Sequence, residues 1–229
     1  STIIFLAGGI LGTFHHLYFS ATPTAVLALG ATFSALEIVP LVLIGYEAYH
    51  NYSLSRSTPW IKAYKWPIYY FIAMCFWNFL GAGIFGFAIN PPIALYYIQG
   101  LNTTAVHGHA ALFGVYGILG IGLILFVLRG LYPDREWNDK LLGWSFWLIN
   151  IGLLVMLVGS LLPIGILQAV ESIQNGYWSA RSMEFMQTDT MQAIRWLRVP
   201  GDSLLAIGEL LLVYFIIGLH TGWSLKGKR

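Results

Sequence analysis

The chain has 229 residues, 57% of them hydrophobic and 10% charged, with a net charge of +2 and a mean hydropathy of +0.69. A soluble domain carries about a quarter charged residues, so this composition excludes one and points to a polytopic membrane protein set in a lipid bilayer. The small net charge gives no footing for a nucleic-acid partner, and the single cysteine, Cys75, excludes disulfides and thiolate clusters.

Spans of about 20 apolar residues cross a bilayer, and the hydropathy pattern predicts six, over 2–19, 23–49, 67–89, 102–131, 141–167 and 194–219. The fold class expected is an all-α membrane helix bundle. Ser1 leads straight into an apolar run, with no basic segment and no cleavage site, so it reads as a helix entered partway and not as a signal peptide. The chain is therefore expected to be a piece of something larger, with 1–229 a single, partial transmembrane domain. Pro23, Pro59, Pro91 and Pro133 punctuate the connections. Thr22 is expected to cap the second span, and Thr103 and Thr104 the fourth. Pro40 and Pro163 fall inside spans and should kink them. The connection 168–193 is too long to be structureless and should form a packed cap with a short helix.

Six spans put both chain ends on one side. Arg56, Lys62, Lys65, Arg129, Arg135, Lys140, Lys226, Lys228 and Arg229 all fall there, nine of the twelve basic residues. Arg181, Arg195 and Arg198 fall opposite. The positive-inside rule makes the nine-charge side cytoplasmic and the 168–193 cap extracytoplasmic.

Depth then follows. His107 and His109 lie about 8–11 Å below the outer end of the fourth span at 1.5 Å per residue, and His15 and His16 lie at a similar depth in the first. Ionisable groups at membrane depth mark function, and four of six histidines share this layer. His50 and His220 sit at the opposite ends. Residues i and i+2 on a helix point about 200° apart, so His107 and His109 cannot share one metal. They can serve two planar cofactors on opposite faces, with Gly108 leaving room for flat rings, as two haems would need. His15 and His16, about 100° apart, can reach one ion, and imidazole suits iron, copper or zinc. Glu37, mid-span, is deeper on simple rise arithmetic, which suits a proton relay or an outer partner better than direct ligation. Arg195 and Arg198 begin the last span just above the histidines, where haem propionates would point. Glu209, in the last span, shows no partner in the sequence.

Five stretches in order resemble the large subunit of the nitric oxide reductases, a branch of the haem–copper oxidase superfamily. They are Gly-Thr-Phe-His-His-Leu-Tyr-Phe19, Phe33-Ser-Ala-Leu-Glu37, Phe79-Leu-Gly-Ala-Gly83, Thr104-Ala-Val-His-Gly-His-Ala110 and Arg195-Trp-Leu-Arg198. The resemblance implies a six-helix part of a larger haem–copper oxidase-like bundle in a bacterial or archaeal cytoplasmic membrane. It implies reduction of two nitric oxide molecules to nitrous oxide and water. It makes His15 and His16 ligands of a non-haem iron, His107 the ligand of a high-spin haem b, His109 an axial ligand of a low-spin haem b, and Glu37 the glutamate beside the iron. The family's third iron histidine, its iron-binding glutamate and the second low-spin haem histidine have no counterpart here, which implies the remaining amino-terminal half of the catalytic subunit as a partner. The stretches Gly176-Tyr-Trp-Ser-Ala-Arg-Ser182 and Arg198-Val-Pro-Gly-Asp202 are more similar to the quinol-dependent branch than to the cytochrome c-dependent one.

Two other readings stand beside this one. An oxygen-reducing haem–copper oxidase would use a tyrosine near the metals and a lysine-bearing proton path, whereas the span here carries Glu37 and no interior lysine. A haem-free transporter or structural subunit would use the histidines to line a proton path.

Overall fold

The computed structural model describes residues 2–55 and 59–222. Arg56, Lys226, Lys228 and Arg229, which enter the charge-asymmetry argument, lie outside the described residues. Every element among those described is helical. This suits an apolar chain, because a helix satisfies its own backbone hydrogen bonds where lipid offers none.

The chain opens with α1 (Thr2–Gly12), which tightens into a 3₁₀ turn, Thr13–Leu17. α2 (Thr24–Leu36) and α3 (Ile38–Ser55) follow, with the break at Glu37. Pro40 explains the break: it has no N–H to donate, and its ring presses on the carbonyl four residues back. A short α4 (Pro59–Ala63) leads to α5 (Lys65–Trp77), a π stretch (Asn78–Phe85) and α6 (Gly86–Ile89); from α5 to α6 these make one continuous span. After α7 (Pro92–Ile98) comes α8 (Asn102–Gly108), a second π stretch (His109–Gly117) and α9 (Ile118–Leu131). α10 (Asp139–Met156), a π stretch (Leu157–Leu161) and α11 (Leu162–Asn175) form the next rod. α12 (Met183–Met186), α13 (Asp189–Trp196) and α14 (Arg198–Thr221) complete the chain.

Among the described residues, five helical rods are long and apolar enough to cross a membrane: Thr24–Ser53, Lys65–Ile89, Asn102–Leu131, Asp139–Asn175 and Asp189–Thr221. The first of the six expected spans, 2–19, is helical over Thr2–Leu17, too short to join them among the described residues. Helix α11 continues past the expected end of its span to Asn175, so the connection before the last rod shortens to 176–188. Gly176, at φ +98°, ends α11 in a conformation that a side chain would resist.

Helix contacts use the small-residue packing typical of membranes, where close backbone approach replaces the hydrophobic effect. α10 and α14 cross on Gly152, Gly201 and Gly208. A Cβ on Gly152 would stand 2.5 Å from Leu205 N, and one on Gly201 2.5 Å from Met156 N. Polar bonds tie the rods together inside the core. Ser145 Oγ donates to Gly208 O at 2.8 Å, and Trp77 Nε1, fully buried, donates to Asn150 Oδ1 at 2.8 Å. The connection 176–188 is fixed by bonds of the same kind. Gln168 Oε1 accepts from Asn102 N at 2.9 Å, Gln168 Nε2 donates to Ala180 O at 3.0 Å, and Tyr177 Oη donates to Gln99 O at 2.6 Å.

The three expected helix caps are not formed. α2 begins at Thr24 with Pro23 in the cap position and no side-chain cap. α8 begins at Asn102 after Leu101, again uncapped. Thr104 Oγ1 instead accepts from Gly100 N at 3.1 Å. It therefore braces the turn before the helix, where Gly100 takes φ +73°.

Candidate metal centre

α1 and α2 lie antiparallel, and glycines set how close they come. A Cβ on Gly8 would meet Glu37 Cγ at 2.6 Å, one on Gly12 would meet Ser34 Cα at 3.2 Å, and one on Gly30 would meet His15 N at 2.7 Å. This register leaves the Glu37 backbone about 10 Å deeper than that of His15, seven residues of rise. Both side chains nonetheless reach one cavity of about 160 Å³, lined by Gly9, Gly12, Thr13, His15, His16, Ser34, Glu37, Ala82, Asn90 and His107. The backbone of Glu37 is deeper than the histidines, as its place in the span predicts. Its side chain still borders their cavity, because the bare Gly8 and Gly12 let α1 and α2 approach closely.

The imidazoles are oriented by the backbone. His15 Nδ1 lies 2.5 Å from Gly12 O, one 3₁₀ turn back. Its ring sits 4.0 Å, centroid to centroid, from that of His16. His107 Nδ1 reaches across to Gly81 O at 2.8 Å. Gly81 O also accepts the Gly86 N–H across the wide π turn, and a carbonyl has lone pairs for both. Gly86 makes room for the ring, since a Cβ there would lie 3.2 Å from His107 Cε1. His109 Nδ1 bonds Ala105 O at 2.8 Å. Each of these contacts calls for a proton on Nδ1, which in a neutral imidazole leaves Nε2 unprotonated and able to accept a metal or a donor.

His107 and His109 leave their helix on opposite sides. His107 joins the cavity of His15 and His16, while His109 turns toward α14, with Arg198 Nη2 at 3.5 Å from its Nε2. A Cβ on Gly108, between them, would meet nothing within 4 Å. The two histidines thus face separate surroundings. Arg198 is held by Asp202, Nε to Oδ2 at 2.9 Å. With Arg195 it borders a second cavity of about 450 Å³ that also includes Asn102, Ser160 and Met186. His50 stacks on Tyr46 and His220 lies 3.3 Å from Tyr132 Oη, both outside the cavity.

Three participants escape a sequence reading. Asn90 is 3% exposed, donates from Nδ2 to Ser34 Oγ at 2.8 Å, and has its buried Oδ1 unpartnered. In the sequence it is only the residue before two prolines, and reads as turn punctuation. Ser34 signals itself by lying one turn before Glu37, on the same helix face. Nothing in the sequence marks the Gly81 carbonyl, because π geometry has no simple residue signature.

The residues fit a metal in part. Three imidazoles, of His15, His16 and His107, and the Glu37 carboxylate line one cavity, but no group of three or more His, Cys, Asp or Glu converges closely enough to hold an ion among the described residues. For the His107 and His109 positions the fit to a flat ring rests on the anchored Nδ1 atoms and on the open space at Gly108.

A multi-pass helical membrane protein with histidines gathered on one cavity and a further histidine facing away from it is the class these features define. The sequence profile of the family described as cytochrome c and quinol oxidase polypeptide I matches residues 1–204. The chain belongs to that family, within the haem–copper oxidase superfamily. It is similar to a nitric oxide reductase subunit of Stutzerimonas stutzeri, at 32% identity over 91% of this chain and 44% of the relative. It is also similar to the bacteroid cytochrome c oxidase subunit 1 homolog of Bradyrhizobium diazoefficiens and to the cytochrome c oxidase subunit 1 homolog of Azorhizobium caulinodans, each at 25% identity over 87% of this chain and 36% of the relative. The chain thus spans less than half the length of these relatives.

Proposed function

We propose that this chain forms part of the catalytic subunit of a respiratory nitric oxide reductase, carrying out 2 NO + 2 e⁻ + 2 H⁺ → N₂O + H₂O with electrons from quinol. The observation that carries this reading is the shared cavity of His15, His16, Glu37 and His107. His15 and His16 would hold a non-haem iron, His107 a high-spin haem b and His109 a low-spin haem b. When bound, these groups would supply the two electrons and a place for two nitric oxide molecules to meet, and proximity supplies much of what N–N coupling requires.

The chain's own groups supply order and protons. Backbone carbonyls at Gly12, Gly81 and Ala105 fix the imidazole tautomers and raise the basicity of the ligating nitrogens. Glu37 delivers protons into the cavity, and a hard carboxylate beside imidazoles favours iron over copper. Arg195 and Arg198 pair haem propionates, Arg198 already held in place by Asp202. The remaining ligands come from an amino-terminal part of the subunit, which this chain does not include. The first helix, Thr2–Leu17, lies beside α2 as a shorter sixth helix, and the face that carries Lys62, Lys65, Arg129, Arg135 and Lys140 is the cytoplasmic side of a bacterial or archaeal inner membrane.

The 25% identity to two cytochrome c oxidase subunit 1 homologs favours a second reading, oxygen reduction at a haem–copper centre. Metal analysis and a reduced-minus-oxidised spectrum of the full-length protein decide between them. The nitric oxide reductase reading expects b-type haem bands and three irons per subunit without copper. Copper equimolar with the distal site overturns it in favour of the oxidase, and absence of haem bands overturns both.

A further inference from the structure

A further pocket lies at the opposite end of the bundle, remote from His15, His16, His107 and His109. Lys65 begins the second of the five rods, Leu131 ends the third and Asp139 begins the fourth. Because successive rods run antiparallel, these three ends meet at one membrane face. Between them is a pocket of about 190 Å³ lined by Lys62, Lys65, Trp66, Arg129, Glu136, Trp137 and Asp139, with Ala63.

Part of this lining is internally satisfied. Asp139 accepts from Trp66 Nε1 at 2.7 Å and pairs with Lys65 at 3.6 Å, and Lys65 also stands 4.9 Å over the Trp66 ring. The rest is not. Arg129 donates to Arg135 O at 2.7 Å and stacks over Trp137 at 5.3 Å, so its guanidinium is oriented yet faces no carboxylate within ion-pair distance among the described residues. Lys62 has no ion pair there either. Trp137 is 8% exposed, and its Nε1–H is buried with no hydrogen-bond partner. A buried indole N–H without an acceptor costs free energy, and Trp137 is part of the pocket wall, so an acceptor that enters the pocket and shifts the ring slightly recovers that cost.

We propose that this pocket binds the phosphate of a phospholipid headgroup. The level is right, because rod ends ringed by Trp66, Tyr69, Tyr132 and Trp137 mark the headgroup zone. The donors are right, because Lys62, Arg129 and the Trp137 N–H together offer two cations and a neutral donor to one oxyanion. Basic pockets between membrane helices recognise headgroup phosphates in this way. The charge is selective too: the lining holds one more cation than carboxylate, which matches a singly charged phosphodiester better than a dianionic free phosphate. Glu136 enforces that preference.

The test uses the full-length protein in mild detergent, titrated with phosphatidylglycerol and read by native mass spectrometry. Diacylglycerol with the same tails lacks the phosphate and serves as the comparison. Phosphatidylglycerol is retained and diacylglycerol is not. Lys62→Gln, Arg129→Gln and Trp137→Phe each lower retention about fivefold, the effect of losing one hydrogen bond. Lys140→Gln, on the same face but outside the pocket, leaves retention unchanged. Equal retention of the two lipids, retention unaffected by Lys62→Gln, or displacement of the lipid by millimolar inorganic phosphate overturns the assignment. Lys62 is exposed, so its variant reads out even if Trp137→Phe does not fold.

Discussion

Glu37 stands where α2 gives way to α3, on the wall it shares with His15, His16 and His107. Nothing ion-pairs it among the described residues, so its carboxyl is available to pass protons to the cavity. Glu37→Gln keeps the shape and removes the exchangeable acid. It should lower nitric oxide turnover between about a hundredfold and ten-thousandfold, the span general acid–base catalysis contributes, while the haem spectrum stays that of the parent protein. A turnover within a factor of two of the parent would remove Glu37 from the proton path. The histidines and Glu37 were legible in the sequence because ionisable groups in an apolar run stand out, and helical spacing gives their directions. Asn90 was not legible. Its importance lies in an unpartnered Oδ1 and in a bond to Ser34, 56 residues away, and no local pattern encodes that contact.

Among the elements, the π stretches lie on the rods that build and flank the site: Asn78–Phe85 supplies the Gly81 carbonyl, and His109–Gly117 begins at His109 itself. π turns inside helices recur at functional sites; here the wide turn lets Gly81 O accept both Gly86 N–H and His107 Nδ1–H. The long rods were legible from hydropathy to within a few residues, and the fourth expected span, 102–131, matches the observed rod Asn102–Leu131. The ends read less well. The Thr caps expected at Thr22, Thr103 and Thr104 do not form, since Pro23 and Leu101 occupy the flanking positions. Helix α11 overruns its hydropathy limit because Gln168 and Ser172 find partners in the turns they face, at Ala180 O and Tyr97 O. The α10–α14 crossing gives an element-scale prediction. Gly201→Leu places a side chain where a Cβ alone would meet Met156 N at 2.5 Å. It should destabilise the bundle by about 1–3 kcal/mol, the usual cost of overpacking, read as a lower midpoint in thermal aggregation of the detergent-solubilised protein. An unchanged midpoint would mean that the two helices separate freely.

For the whole molecule, the five rods form a helical membrane bundle with His107 and His109 toward one end, level with His15 and His16, and the interfacial cations Lys62, Lys65, Arg129 and Arg135 at the other. That polarity underlies both proposals, a redox centre in the histidine layer and a lipid phosphate at the far face. The chain covers 44% of the length of the nitric oxide reductase subunit it resembles, so the activity belongs to the full-length protein and is measured there. The most direct test is anaerobic turnover of nitric oxide by that purified protein with a reduced quinol analogue, with nitrous oxide quantified by gas chromatography. The account predicts one nitrous oxide released for every two nitric oxide molecules consumed, and loss of that activity in His15→Ala. Quinol oxidation that proceeds with oxygen but yields no nitrous oxide from nitric oxide would contradict it.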